Sequence, residues 1–123
     1  MDIFAAVRAG DLSTIVKHIR SGSSVNARNK DGMTLLLVAV ESGQHGAAKL
    51  LLEEGGNINA IDKYGQTALM LAASKNDVKS GKLLLSFRAN RNTVAKNGMT
   101  ALGYATHRAG FDMAELLKLA GAH

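Results

Sequence analysis

The sequence predicts an all-α solenoid: four helix–turn–helix units stacked side by side. Three observations lead there. Gly32, Gly65 and Gly98 are spaced by 33 residues, and so are Thr34, Thr67 and Thr100, Ala39, Ala72 and Ala105, and Asn26, Asn59 and Asn92. The leucine run Leu50–Leu52 returns as Leu83–Leu85 at the same interval. The chain is 46% hydrophobic but has no Pro, Cys or Trp, so Gly, Asn and Asp must punctuate its turns. A fixed period of this length marks a stack of supersecondary units. One helix pair cannot bury both of its apolar faces, whereas stacked pairs can.

The elements follow in order. Residues 1–28 form an N-terminal cap unit: a helix from Asp2, a break at Gly10-Asp11, a helix over Leu12 to Arg20, then Gly22 and Val25-Asn26-Ala27. Three units follow, 29–61, 62–94 and a C-terminal cap at 95–123. Each opens on a turn: Lys30-Asp31-Gly32, Lys63-Tyr64-Gly65 and Lys96-Asn97-Gly98. Glycine supplies the positive φ of such turns. Two residues on, the Thr hydroxyl can cap a short Ala-rich helix. Those helices are predicted over Leu35 to Glu41, Ala68 to Ser74 and Ala101 to Arg108, the first two ending at Gly43 and Asn76. A second, leucine-rich helix completes each unit.

The C-terminal half is expected to be less regular. Arg88 stands where Gly22, Gly55 and Gly121 stand elsewhere, and Arg91 replaces the apolar Val25 and Ile58. Gly110 is read as displaced by one residue, with the helix after it shortened to compensate.

The 123 residues suit one domain with a real core. The absence of Cys excludes disulfides and Cys-based zinc sites. The acidic Asp2 stands where a signal peptide carries its basic region. No uncharged run approaches the about 18 residues of a membrane span. A soluble, cytoplasmic protein with no membrane contact is the expectation. The sequence contains no G-x-G-x-x-G, Walker, H-E-x-x-H or G-x-S-x-G pattern. His18 reads as a partly buried packing residue, His45 as exposed, and Tyr104 as core. Glu53-Glu54, adjacent on a helix, point about 100° apart, a poor geometry for acid–base work. The reading is therefore not an enzyme, with no cofactor and no metal.

Asp31-Gly32-Met33-Thr34-Leu35-Leu36, then Ala39, Gly43, Leu50-Leu51-Leu52-Glu53-Glu54-Gly55 and Asn59-Ala60, resemble the ankyrin repeat. The resemblance covers essentially the whole chain. It implies an ankyrin-repeat solenoid with short β-hairpin or turn tips, and a non-enzymatic role in protein–protein interaction. The family's Thr-Pro-Leu-His reads Thr34-Leu35-Leu36-Leu37, Thr67-Ala68-Leu69-Met70 and Thr100-Ala101-Leu102-Gly103, so Pro and His are lost from all three copies. The missing His removes a hydrogen bond by which the family ties adjacent turns. Asn26, Asn59 and Asn92 occupy a position that asparaginyl hydroxylases modify in some members.

The resemblance also implies where partners bind: the turn tips and the inner, concave surface of the first helices. Those positions here supply the candidate partner-binding residues Arg8, Arg28, Lys30, Met33, Lys63, Tyr64, Lys75, Lys96, Met99, His107 and Arg108. They also hold the acids Asp31 and Glu41. Seven bases against two acids account for the whole formal net charge of +5. Tyr64, flanked by Lys63, Lys75, Lys96 and Arg108, is the sharpest anchor. Ordinary solvated charge and turn–turn packing are the bland counterparts of this reading. The expected partner is an acidic protein or peptide, held by a monomer that acts as inhibitor, adaptor or protective partner. The alternative is nucleic acid or another polyanion in the same groove, which only Tyr64 is placed to stack against.

Overall fold

A computed structural model describes residues 2–123 as eight helices; Met1, the first residue of the N-terminal cap unit, lies outside the described residues. They are α1 (Ile3–Ala9), α2 (Leu12–Arg20), α3 (Leu35–Glu41), α4 (His45–Glu53), α5 (Ala68–Ser74), α6 (Val78–Ser86), α7 (Ala101–His107) and α8 (Phe111–Leu119). Among the described residues the only β-pairing is one antiparallel bridge, Arg28 with Thr34. The tips are therefore turns.

Local chemistry sets the helix starts. The hydroxyls of Thr34, Thr67 and Thr100 accept from the backbone N–H of Leu37, Met70 and Gly103 at 3.3, 3.2 and 3.2 Å. Asp2, Asp11 and Asp77 cap α1, α2 and α6 in the same way. Each satisfied N-cap contributes about 1 kcal/mol.

The displacement expected at Gly110 does not occur. α7 has 7 residues and α8 has 9, like their counterparts in the preceding units. Ala109 (φ 61°) takes the left-handed position that Gly10, Gly43 and Asn76 take, and Gly110 is the N-cap of α8. Arg108 follows α7 as its C-cap instead of belonging to it. The physical reason is the phase of α8. A one-residue shift would rotate its apolar stripe by about 100° and carry the fully buried Met113 and Leu117 out of the core. An Ala in the left-handed region costs only about 1–2 kcal/mol.

The first helices pack in one layer, α1 on α3 on α5 on α7, and the second helices in another, α2 on α4 on α6 on α8. Between the layers lies one continuous core, from Ile3 and Val7 through Leu35–Val40, Leu51, Leu69–Ala73 and Leu84 to Met113 and Leu117. Asparagines join the units behind the tips. Asn26 Oδ1 accepts from Asn57 N (2.7 Å), Asn59 Oδ1 from Asn90 N (2.9 Å) and Asn92 Oδ1 from His123 N (3.0 Å). Arg91 reaches the carbonyl of Ala120 at 2.6 Å, so a hydrogen bond replaces the apolar contact expected at that position.

Arg88 adopts φ 65°, as its place in the glycine series requires. Its side chain is exposed and has little packing to lose. Arg88→Gly is expected to stabilise the fold by about 0.5–1 kcal/mol, the left-handed strain less the extra chain entropy of glycine. Urea denaturation would read this as a higher midpoint at unchanged slope.

Candidate functional site: the row of turn tips

Each tip is closed by a backbone bond: Asn29 N to Met33 O, Asp62 N to Gln66 O, and Ala95 N to Met99 O, at 2.9, 3.0 and 2.9 Å. In the first tip the Asn29 carboxamide oxygen accepts from Asp31 N and Met33 N; in the second the Asp62 carboxylate accepts from Tyr64 N and Gln66 N. The third tip has Ala95 at that position, and Asn97 accepts from Met99 N instead (3.0 Å). Such side-chain-to-backbone bonds hold a turn without help from a sheet.

The tips also touch one another. Arg28 Nη1 donates to Gly32 O (2.6 Å) within its own tip and to Ile61 O (2.7 Å) at the base of the next. Lys96 N donates to Tyr64 O at 3.1 Å. Gly65 needs its lack of a side chain twice: its φ is +74°, and a Cβ there would lie 3.1 Å from Lys96 N.

The charged members of the candidate set are exposed. Lys30, Lys63 and Lys96 hold the same place in three successive tips, and Lys75 and Arg108 are the C-caps of α5 and α7. Lys75 approaches Glu41 only at 3.9 Å. The Lys63 ammonium lies 5.2 Å from the centre of the Tyr64 ring, which is 59% exposed. Arg8 lies in the last turn of α1 and His107 ends α7, both exposed. Met33 and Met99 are half-buried, and Met33 packs on the core. Arg28 is committed to bracing two tips.

Of these residues, Tyr64 and Lys96 come together with Gln66, Asn97 and Tyr104 around a cleft of about 420 Å³. Tyr104, expected in the core, packs against it without being fully enclosed. It is half-buried, and its hydroxyl accepts from Gln66 Nε2 (2.9 Å) and Asn97 Nδ2 (3.0 Å). A signal was available: its counterparts one and two periods earlier, Leu71 and Val38, are apolar and buried. A phenol in that series needs a polar outlet.

His45 also departs from expectation. It is half-buried, with Nε2 at 3.0 and 3.1 Å from the two carboxylate oxygens of Asp77. Its counterparts Leu12, Val78 and Phe111 are apolar, and Leu12 lies where a side chain at Gly46 of the next unit would touch it. A histidine there meets the next unit's capping residue. Burial pushes the Asp77 carboxyl up, but the two hydrogen bonds from Ser80, with the bond and charge of His45, outweigh it and hold the group below its ordinary value. The second helices carry further bases, Lys17, Arg20, Lys49, Lys79 and Lys82, on α2, α4 and α6, with Glu53 the one acid within those helices.

This architecture matches known sequences. A family model described as ankyrin repeats in three copies matches residues 3–91, and another, ankyrin repeats in many copies, matches residues 69–117. The chain belongs to the ankyrin-repeat family. Its eight helices are thus those of an ankyrin-repeat solenoid, a scaffold that generally mediates protein–protein interaction and is generally non-enzymatic. No match was found among curated proteins. Among the described residues no helix is long and apolar enough to cross a membrane.

Proposed function

We propose that this ankyrin-repeat protein is a non-enzymatic cytoplasmic interaction module that holds an acidic protein or peptide on its concave, tip-bearing face. It acts there as a monomeric inhibitor, adaptor or protective partner. One observation carries the reading: Lys30, Lys63 and Lys96 hold equivalent, exposed positions on three successive tips, and the exposed ring of Tyr64 lies beside Lys63. Ile61 and Val94, 43% and 59% exposed, add apolar contact beside the charge. Long-range attraction to such a face raises association rates and makes binding sensitive to salt.

The basic second helices favour a second reading, a polyanion held by either face. Octaglutamate and a short DNA duplex, titrated against the wild type and a Lys63→Glu/Lys75→Glu/Arg108→Glu variant, separate the two. Octaglutamate affinity is expected to fall about tenfold or more in the variant, at least 1.4 kcal/mol. Equal affinity of wild type and variant would sink the basic-face reading. Equal affinity for the duplex and octaglutamate in the wild type would favour the polyanion.

A further inference from the structure

We infer that the cleft between the second and third tips, lined by Tyr64, Gln66, Lys96, Asn97 and Tyr104, is a pocket for one carboxylate side chain, a glutamate or aspartate of the acidic partner. This rests on the proposed basic face and names its anchoring subsite.

Asn97 Oδ1 accepts from Met99 N, so its amide orientation is set and Nδ2 must be the group facing Tyr104. With Gln66 Nε2 also donating, the Tyr104 oxygen has both lone pairs filled and its proton has no acceptor among the described residues. Turning the Gln66 amide over does not change the outcome. Its oxygen would take the tyrosine proton, and its NH₂ group would be the one released. In either arrangement a donor is left unspent.

The rim adds one full positive charge, Lys96, and no carboxylate lines the cleft. The next charges are of opposite sign and offset each other, the Lys63 ammonium over the Tyr64 ring and the Asp62 carboxylate bonded to Tyr64 N and Gln66 N. One cation with neutral donors matches a singly charged oxyanion, whereas a phosphate dianion would call for a second cation. The cleft, about 420 Å³, has room for a partner's side chain. The face of Tyr64 supplies an apolar wall for the methylenes of a glutamate. The walls are held in place by the Asn97 turn and by the bond from Lys96 N to Tyr64 O. Hydrogen bonds to a charged acceptor are the strong ones, so a pre-set donor array discriminates carboxylate from amide.

The test titrates octaglutamate into ¹⁵N-labelled protein, following the side-chain amides of Gln66 and Asn97. Tyr104→Phe removes only the hydroxyl. Asn97→Asp keeps the acceptor for Met99 N, removes the donor and adds repulsion. Thermal melts check that both variants fold. Both side-chain amide signals are expected to shift in the wild type. Tyr104→Phe is expected to weaken binding about fivefold to tenfold, and Asn97→Asp more. The carboxylate pocket is overturned if both variants bind as wild type does while the triple Glu variant of the basic face loses binding. If the triple variant also binds normally, the underlying reading fails and the pocket with it. Tighter binding of a phosphoserine peptide of equal length, lost in Tyr104→Phe, would overturn the assignment to carboxylate.

Discussion

Asp77→Ala is expected to lower the unfolding free energy by about 2–4 kcal/mol, adding a lost N-cap to a stranded buried hydroxyl. Asp77 caps α6 by accepting from Ser80 N at 3.1 Å, and its other oxygen accepts from Ser80 Oγ at 2.7 Å. Ser80 is 1% exposed, so water cannot replace that partner. The same carboxylate holds His45, at 3.0 Å, and so ties α4 to α6. In an Asp77→Ala/Ser80→Ala double variant the two losses are expected not to add, since both delete one bond. The pH dependence follows from the depressed carboxyl. Because its folded-state value lies below the unfolded one, its stabilisation is full above the ordinary carboxylate range of about 3.9 and is lost as pH falls through the folded value. Denaturation of wild type and Asp77→Asn at neutral and at strongly acid pH would test this: the gap between them should close in acid. A gap that persists below the folded-state value would show that the charge is not its source.

Leu84→Ala is expected to cost about 3–5 kcal/mol, the upper part of the range for a buried leucine that leaves a cavity. Leu84 is fully buried on α6, which packs against α5, α4 and α8. In a stack held by nearest-neighbour contacts, such a loss weakens the central unit and both of its junctions. Domains of this size are commonly stable by only about 5–15 kcal/mol, so the C-terminal pair α7–α8 should lose protection against hydrogen exchange first. Leu119→Ala is the control. Leu119 is 79% exposed, and its loss should stay within about 0.5 kcal/mol. Similar costs for the two leucines would contradict the packing described.

Most of the fold was legible because it is local chemistry written several times. The caps at Thr34, Thr67 and Thr100 and the left-handed turns at Gly32, Gly65 and Gly98 depend on residues within one unit. The error at Gly110 shows where local reading fails. Local preference favours glycine as the helix terminator, but Ala109 accepts the left-handed strain because burial of Met113 and Leu117 fixes the phase of α8. The candidate site was legible to the same degree. The positions of Lys30, Lys63, Lys96 and Tyr64 on the tips follow from the period. The pairing of Tyr104 with Gln66 and Asn97, and of His45 with Asp77, does not.

The sequence by itself determined the helical repeat units, the 33-residue period, the turn tips and a net charge of +5. Each depends on dihedral preference, capping chemistry or simple counting, and none needs a neighbouring unit. The tertiary structure alone decided which polar groups are already satisfied and which are free. Arg28 is committed to the Ile61 carbonyl of the next unit, Asp77 to His45, and the Tyr104 oxygen to the Gln66 amide. The bonds of Arg28 to Ile61, of His45 to Asp77 and of Gln66 to Tyr104 join residues 32 to 38 positions apart. They form only where side chains of adjacent units meet, so stacking distance and side-chain direction set them.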